Sequence, residues 1–149
     1  MPIAVRSIRT EWEGALATGS GVFAGGSSGA LDGLPVTWAA RTEQPGGKTS
    51  PEELAAAAHS SCFSMAFALR LGEHDVTPQH ISVEATVTFD AVDGVPTITT
   101  SALKVRARIE GLDDDRFARI VDEAAELCPV SRLFAGARIT VDAALERAA

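Results

Sequence analysis

Two cysteines, with the few charged residues that could reach them, carry most of the chemistry this sequence offers. Cys62 and Cys128 are its only thiols and stand 66 positions apart. There is no CxxC, and His59, His74 and His80 do not group with either cysteine, so this is not zinc-site spacing. In a reducing cytosol a permanent structural disulfide between them is disfavoured. One reading is a pair of buried free thiols acting as small hydrophobes. The other is a pair that cycles between dithiol and disulfide, since both cysteines fall on helix stripes that should face the interior. Cycling chemistry needs a thiolate. Cys62 falls at about the eleventh position of its helix, where the helix dipole, acting mainly over the first turn, lowers a thiol pKa little. A cation must therefore come from elsewhere, and Arg41 is the one offered; Arg70, Arg106 and Arg108 read as solvent-facing charges.

Two acids open the same helix. Glu53 falls three residues after Ser50 and reads as its capping-box partner. Glu52 has no such duty and is free to hold an arginine. Glu52 and Cys62 are ten residues apart, or ~15 Å along a helix axis. Glu52 and Arg41 therefore reach a sulfur either by a bent path or by serving the sulfur of a second subunit packed antiparallel, and the spacing leans towards a dimer. His59 lies three residues before Cys62 and raises a Cys–His nucleophile pair. With no Asn or Asp placed to orient the ring, it reads rather as a histidine filling a polar slot. Ser60, Ser61 and Ser64 read as small packing residues, and His74 and His80 as solvated. The glycines at 19, 21, 25, 26 and 29 make no phosphate loop, because no Lys-Ser/Thr or helix start follows them.

The elements that must position these groups are legible in outline. The first forty residues read as strands: Ile8 to Trp12, a glycine- and serine-rich hairpin over Gly19 to Gly29, and Leu34 to Arg41 (LPVTWAAR). After the loop Glu43 to Thr49, Ser50 as N-cap and Pro51 at the first helical position open a helix that should run to Leu71 and end at Gly72. That helix is apolar nearly all round, so part of its cover should come from a partner subunit. Two strands, Ile81 to Phe89 and Ile98 to Ile109, flank a turn at Val92 to Val95. A second helix starts at the acidic run Asp113 to Asp115. It carries Phe117, Ile120, Val121, Ala124 and Cys128 on one face and breaks at Pro129. A short helical turn (PVSRLF) leads past Gly136 to a last strand, Arg138 to Leu145. The order βββ-α-ββ-α-β, with strands segregated from helices, is α+β.

Composition narrows the function classes. A length of 149 residues fits one domain. Thirteen Lys and Arg against twenty Asp and Glu leave a net charge of −7, unsuited to gripping phosphate backbones. Six Phe, two Trp and no Tyr leave little for base stacking. Hydrophobic residues make up 46%, enough for a core and too much for a disordered chain. Met1 to Thr10 carries Arg6 and Arg9 and lacks an apolar h-region, so it does not read as a signal peptide. Leu54 to Leu71 contains His59 and Arg70 and has only six positions of Leu, Ile, Phe or Met. Insertion would be barely favourable, so it reads as a buried helix of a soluble, cytoplasmic protein.

Taken together, the stretch TSPEELAAAAHSSCFSMAFAL (Thr49 to Leu69) and the CPVSRLF (Cys128 to Phe134) that follows resemble the OsmC/Ohr family, the osmotically inducible and organic hydroperoxide resistance proteins. Arg41 ahead of a Gly-rich loop, WEG at Trp12 to Gly14 and GEHDVTP at Gly72 to Pro78 extend the likeness over essentially the whole chain, and CPVS with AAHSSCFSMA is more like the OsmC branch. The resemblance implies an OsmC-like fold across residues 1–149, with two central helices packed against antiparallel sheets in an intertwined homodimer. It also implies a thiol-dependent peroxidase in which Cys62 is the peroxidatic and Cys128 the resolving cysteine. Arg41 and Glu52 would then match the activating arginine and glutamate. The expected reaction reduces an organic hydroperoxide, and more weakly H₂O₂, through a Cys62 sulfenic acid and a Cys62–Cys128 disulfide. A dithiol such as a lipoyl protein resets the pair; no metal or organic cofactor, nucleic acid or membrane is called for. Phe63, Met65, Phe67, Leu133 and Phe134 are expected to favour organic substrates. Two rivals remain: a non-enzymatic domain binding an apolar ligand between its helices with inert cysteines, and a Cys62–His59 acyl-transfer enzyme.

Overall fold

Three short antiparallel strands open the chain in the order β1 (Arg9–Glu13), β2 (Ser20–Ala24) and β3 (Pro35–Val36). The computed structural model describes residues 1–147, which fold as two compact units dividing after Leu54. In the first unit, Gly21 on β2 lies where a Cβ would come within 2.9 Å of both Trp12 and Val36, so the strands close up only because the side chain is absent. The expected strand over Leu34 to Arg41 is cut short after Val36. The Thr37 side chain accepts a hydrogen bond from the Ala40 N–H at 3.1 Å and starts α1 (Trp38–Thr42). A local cap takes over from the sheet ladder at that point, although β-branched and aromatic residues favour a strand.

The long helix α2 (Pro51–Glu73) begins as expected, with the Glu53 N–H donating to Ser50 Oγ at 3.1 Å. The other half of the capping box is absent: the Glu53 carboxylate accepts from Thr49 Oγ1 at 2.6 Å instead. Gly72 does not end the helix. The chain reverses three residues later, at Asp75, whose φ of +56° places it in the left-handed region. There the Val76 N–H donates to the Leu71 carbonyl and the Asp75 N–H to that of Gly72, closing a Schellman motif.

In the second unit, β4 (His80–Val92) and β5 (Val95–Arg108) form a long antiparallel hairpin. Its two-residue turn, Asp93–Gly94, has both residues at positive φ, as the twist of such hairpins favours. The second expected helix is α3 (Asp114–Leu127), capped by Asp113, whose side chain accepts from the Arg116 N–H at 2.8 Å. Pro129 opens a five-residue helix, α4 (Pro129–Leu133), and β6 (Arg138–Leu145) lies parallel to β5 on the side opposite β4. Sheet and helices enclose one apolar core: Phe63, Phe67 and Leu71 of α2, Leu103, Val105 and Ala107 of β5, and Phe117, Ile120 and Ala124 of α3, with Cys128 among them. Phe67 stands edge-on to Phe117 at 5.8 Å. The architecture is α+β, as expected.

By length and hydropathy alone α2 could cross a membrane. Its inner face instead packs into this core, and its buried histidine is hydrogen-bonded on both sides to protein hydroxyls. The helix is not buried all round, however: Ala58, Ser61, Met65, Ala68 and Leu69 are exposed along its other side.

Candidate active site

The structure brings the four expected site residues together as two pairs. In the first unit, the cap at Thr37 sets α1, and the loop after it returns to β3, where the Thr49 N–H donates to the Pro35 carbonyl at 3.0 Å. That return places the first turn of α2 against α1. Arg41 donates from Nε to both carboxylate oxygens of Glu52, at 3.0 and 3.1 Å, and from Nη2 to Oε1 at 2.7 Å. Glu52 is buried and the Arg41 side chain about a quarter exposed. Such side-on pairing fixes the guanidinium plane and offsets the cost of burying the carboxylate. Trp38, three residues earlier in α1, lies under the guanidinium at 5.9 Å. Beside the pair opens an apolar cavity of about 350 Å³, lined by Trp12, Leu16, Phe23, Trp38 and Leu54, with Arg41 in its wall. Arg41 thus sits on a short helix and not at the end of a strand. Lys48 is exposed in the loop after it.

In the second unit, the break at Pro129 brings the start of α4 to the middle of α2. Cys128 is fully buried at the junction of α3 and α4, while Cys62 is partly exposed; both are free thiols. The Cys128 side chain and the Val130 backbone N–H are the neighbours that act on the Cys62 sulfur. Burial raises the Cys62 pKa above that of an ordinary thiol, and the neighbouring Cys128 adds to this; the Val130 N–H offsets part of it. The resting Cys62 is therefore a neutral thiol.

His59 is neither a partner of Cys62 nor a loosely held ring. It is fully buried, with Nδ1 hydrogen-bonded to Ser101 Oγ at 2.6 Å and Nε2 to Ser131 Oγ at 2.8 Å. Burial lowers its pKa and keeps the ring neutral. Both serines lie far from it in sequence, on β5 and α4, so no local spacing signalled them. His74 is likewise more engaged than expected, its Nε2 2.9 Å from the Glu123 carboxylate. Phe63 and Phe67 are buried in the core and cannot meet a substrate, whereas Met65 and Leu133 are exposed. Among the described residues no cluster of three or more His, Cys, Asp or Glu side chains could hold a metal ion.

An α+β unit that presents a partly exposed thiol against a buried one has the arrangement of a thiol redox protein. A family model described as OsmC-like protein matches residues 44–143, so the chain belongs to that family. The protein named Peroxiredoxin OsmC from Escherichia coli (strain K12) is 41% identical over 134 residues, covering 90% of this chain and 92% of that protein. Among solved structures, the OsmC-like protein from Mycoplasma pneumoniae aligns with a TM-score of 0.75 at 12% identity, over 98% of this chain and 100% of that one. The organic hydroperoxide resistance protein OhrB of Bacillus subtilis aligns with a TM-score of 0.64 at 24% identity, over 94% and 98%. At these identities the structural likeness is one of fold. The chain is a peroxiredoxin-like enzyme with a peroxidase-type role.

Proposed function

We propose that the protein reduces organic hydroperoxides to alcohols, with Cys62 as the peroxidatic and Cys128 as the resolving cysteine. The observation that carries this reading is the unequal burial of two neighbouring thiols: Cys62 is open to a small substrate, and Cys128 lies close to it. The Cys62 thiolate attacks the distal peroxide oxygen, the O–O bond breaks, and the alkoxide takes a proton from solvent to leave as ROH. Cys62 is left as a sulfenic acid. Cys128 then attacks the Cys62 sulfur, a disulfide forms and water departs. An external dithiol exchanges with the disulfide and returns both thiols. Residues 1–149 act as one OsmC-like peroxidase domain, in a reducing cytoplasm.

The raised pKa of Cys62 leaves little thiolate at neutral pH, and in this reading the cation that favours the thiolate is Arg41, held by Glu52. The ten-residue spacing of Glu52 and Cys62, ~15 Å of helical rise, favours delivery to the partner subunit's Cys62 in a homodimer. The exposed apolar side of α2, at Ala58, Met65, Ala68 and Leu69, supports a second copy covering that helix. The cavity beside Arg41 suits the organic group of the substrate, since its walls are apolar while a hydroperoxide head needs the guanidinium. H₂O₂ has no such group and should be reduced more slowly.

The test is consumption of cumene hydroperoxide in the presence of a dithiol, comparing the wild type with Cys62→Ser. Turnover confined to the wild type supports the reading. Equal turnover in both proteins would discard Cys62 as the nucleophile.

A further inference from the structure

Cys128 itself lies in the core, but the short helix that follows it is held there by little besides Val130. Pro129 ends the preceding helix, α4 has only five residues, and no side chain caps it at Cys128. None of its five residues is fully buried, and Leu133 projects into solvent. Yet disulfide formation requires the two sulfurs to meet within a narrow range of geometry.

The ring of His59 supplies what α4 lacks. It lies one turn before Cys62 on α2 and reaches Ser131, three residues after Cys128 and next to the Val130 whose N–H contacts the Cys62 sulfur. Phe134 meets the same ring edge-on, with centroids 5.3 Å apart at 81°. The opposite nitrogen is fixed to Ser101, fully buried on β5. A neutral imidazole offers one donor and one acceptor, and a serine hydroxyl can take either role, so both bonds form without burying a charge.

We propose that His59 is a positioning residue for the thiol pair. Anchored on Ser101, it holds the Cys128–Phe134 segment through Ser131 and Phe134, so that Cys128 faces Cys62 and captures its sulfenic acid. The proposal rests on the peroxidase reading for its catalytic consequence and on geometry alone for its effect on the dithiol. In the productive step Cys128 attacks the Cys62 sulfur, the S–O bond breaks, and the hydroxide leaves with the Cys128 proton as water. In the competing step a second hydroperoxide transfers its distal oxygen to the Cys62 sulfenate, giving a sulfinate and ROH. Loosening the segment slows the first step and leaves the second untouched.

The variants follow from the ring's shape. Ser131→Ala deletes the bond to α4. His59→Asn places its amide near the Nδ1 position and loses Ser131; His59→Gln places its amide near Nε2 and keeps it. Ser101→Ala removes the anchor to the sheet and should shift the ratio in the same direction as Ser131→Ala. Each protein is treated with excess cumene hydroperoxide without reductant. The rate of Cys62 oxidation and the ratio of disulfide to sulfinate are read by mass spectrometry. In parallel, the dithiol is equilibrated with glutathione redox buffers, which needs no peroxide. Losing one positioning hydrogen bond should shift the disulfide-to-sulfinate ratio and the glutathione equilibrium roughly tenfold in Ser131→Ala and His59→Asn. The first oxidation rate should stay within about twofold, and His59→Gln should recover most of the ratio. Wild-type values of both readouts in Ser131→Ala and His59→Asn overturn the proposal. So does a failure of His59→Gln to recover the ratio, which would reduce His59 to a packing residue. If the wild type consumes no hydroperoxide the peroxidase reading fails, while the glutathione equilibrium still decides the positioning role.

Discussion

Arg41 meets Glu52 side-on, with Nε and Nη2 both donating to the carboxylate, across only eleven residues of sequence. A capped five-residue helix and a returning loop bring the two together. The remaining edge of the guanidinium is thereby given a defined direction, which a lysine ammonium on a flexible stem would not have.

Arg41→Ala should raise the pH midpoint of Cys62 alkylation by about 1–3 pH units, the range for loss of an opposite charge beside an ionising group. The first oxidation step should slow accordingly at neutral pH. Arg41→Lys should recover only part of the rate. If the site is shared across a dimer, mixing Cys62→Ser with Arg41→Ala subunits should restore activity in the heterodimer. An unchanged alkylation profile in Arg41→Ala would remove Arg41 as the activator and turn attention to Lys48 or Arg132.

Cys128→Ser should consume one equivalent of cumene hydroperoxide quickly and a second more slowly, and then stall. Cys62 would accumulate as sulfenic and then sulfinic acid, because the sulfur that should condense with it is gone. Mass spectrometry of the oxidised variant checks this, and continued turnover with an unmodified Cys62 would contradict it.

The stability of the fold should fall in mild acid through His59. Its pKa is lowered in the folded state by burial, so between that value and the 6.5 of a free histidine the unfolded chain binds more protons. Unfolding free energy therefore rises with pH across this window. The contribution is present in full above about 6.5 and is lost as the pH falls from there through the folded-state value. Urea midpoints measured between pH 5 and 8 should decline towards acid in the wild type and decline less in His59→Gln. Parallel curves for the two proteins would assign the acid sensitivity to other groups.

Phe67→Ala should cost about 3–5 kcal/mol, as truncation of a fully buried aromatic does. Phe67 has no exposed surface, stacks on Phe63 and stands edge-on to Phe117, so its loss opens a cavity between α2 and α3. Urea denaturation with an unchanged m-value would measure the loss directly. Met65→Ala, on the exposed side of the same helix, should change monomer stability by less than about 0.5 kcal/mol. It should weaken dimerisation if a second copy covers that side.

The features legible in the chain before folding are those whose causes are local. Ser50 and Pro51 start a helix because a hydroxyl and a ring lacking an N–H suit its first turn. Asp113 does the same for α3, and the Asp93–Gly94 turn sets the long hairpin. Period-2 and period-3.6 patterns placed β4 to β6 and α3 within a few residues, and the spacing of Cys62, Cys128, Arg41 and Glu52 was enough to nominate them. Where two local preferences competed, the outcome was not legible. Thr37 could extend a strand or cap a helix, and it caps; Gly72 could end α2, yet the reversal waits for Asp75. The tertiary structure alone decided the surroundings of each nominated group. Ser101 and Ser131 lie 42 and 72 residues from His59, and only the packing of β5 and α4 against α2 turns that ring from a polar slot into a tie between elements. The same packing buries Cys128, leaves Cys62 partly open and withdraws Phe63 and Phe67 from any substrate. Burial and long-range hydrogen bonds depend on which surfaces meet, and a periodic pattern tells which face of a helix is apolar without telling what will cover it.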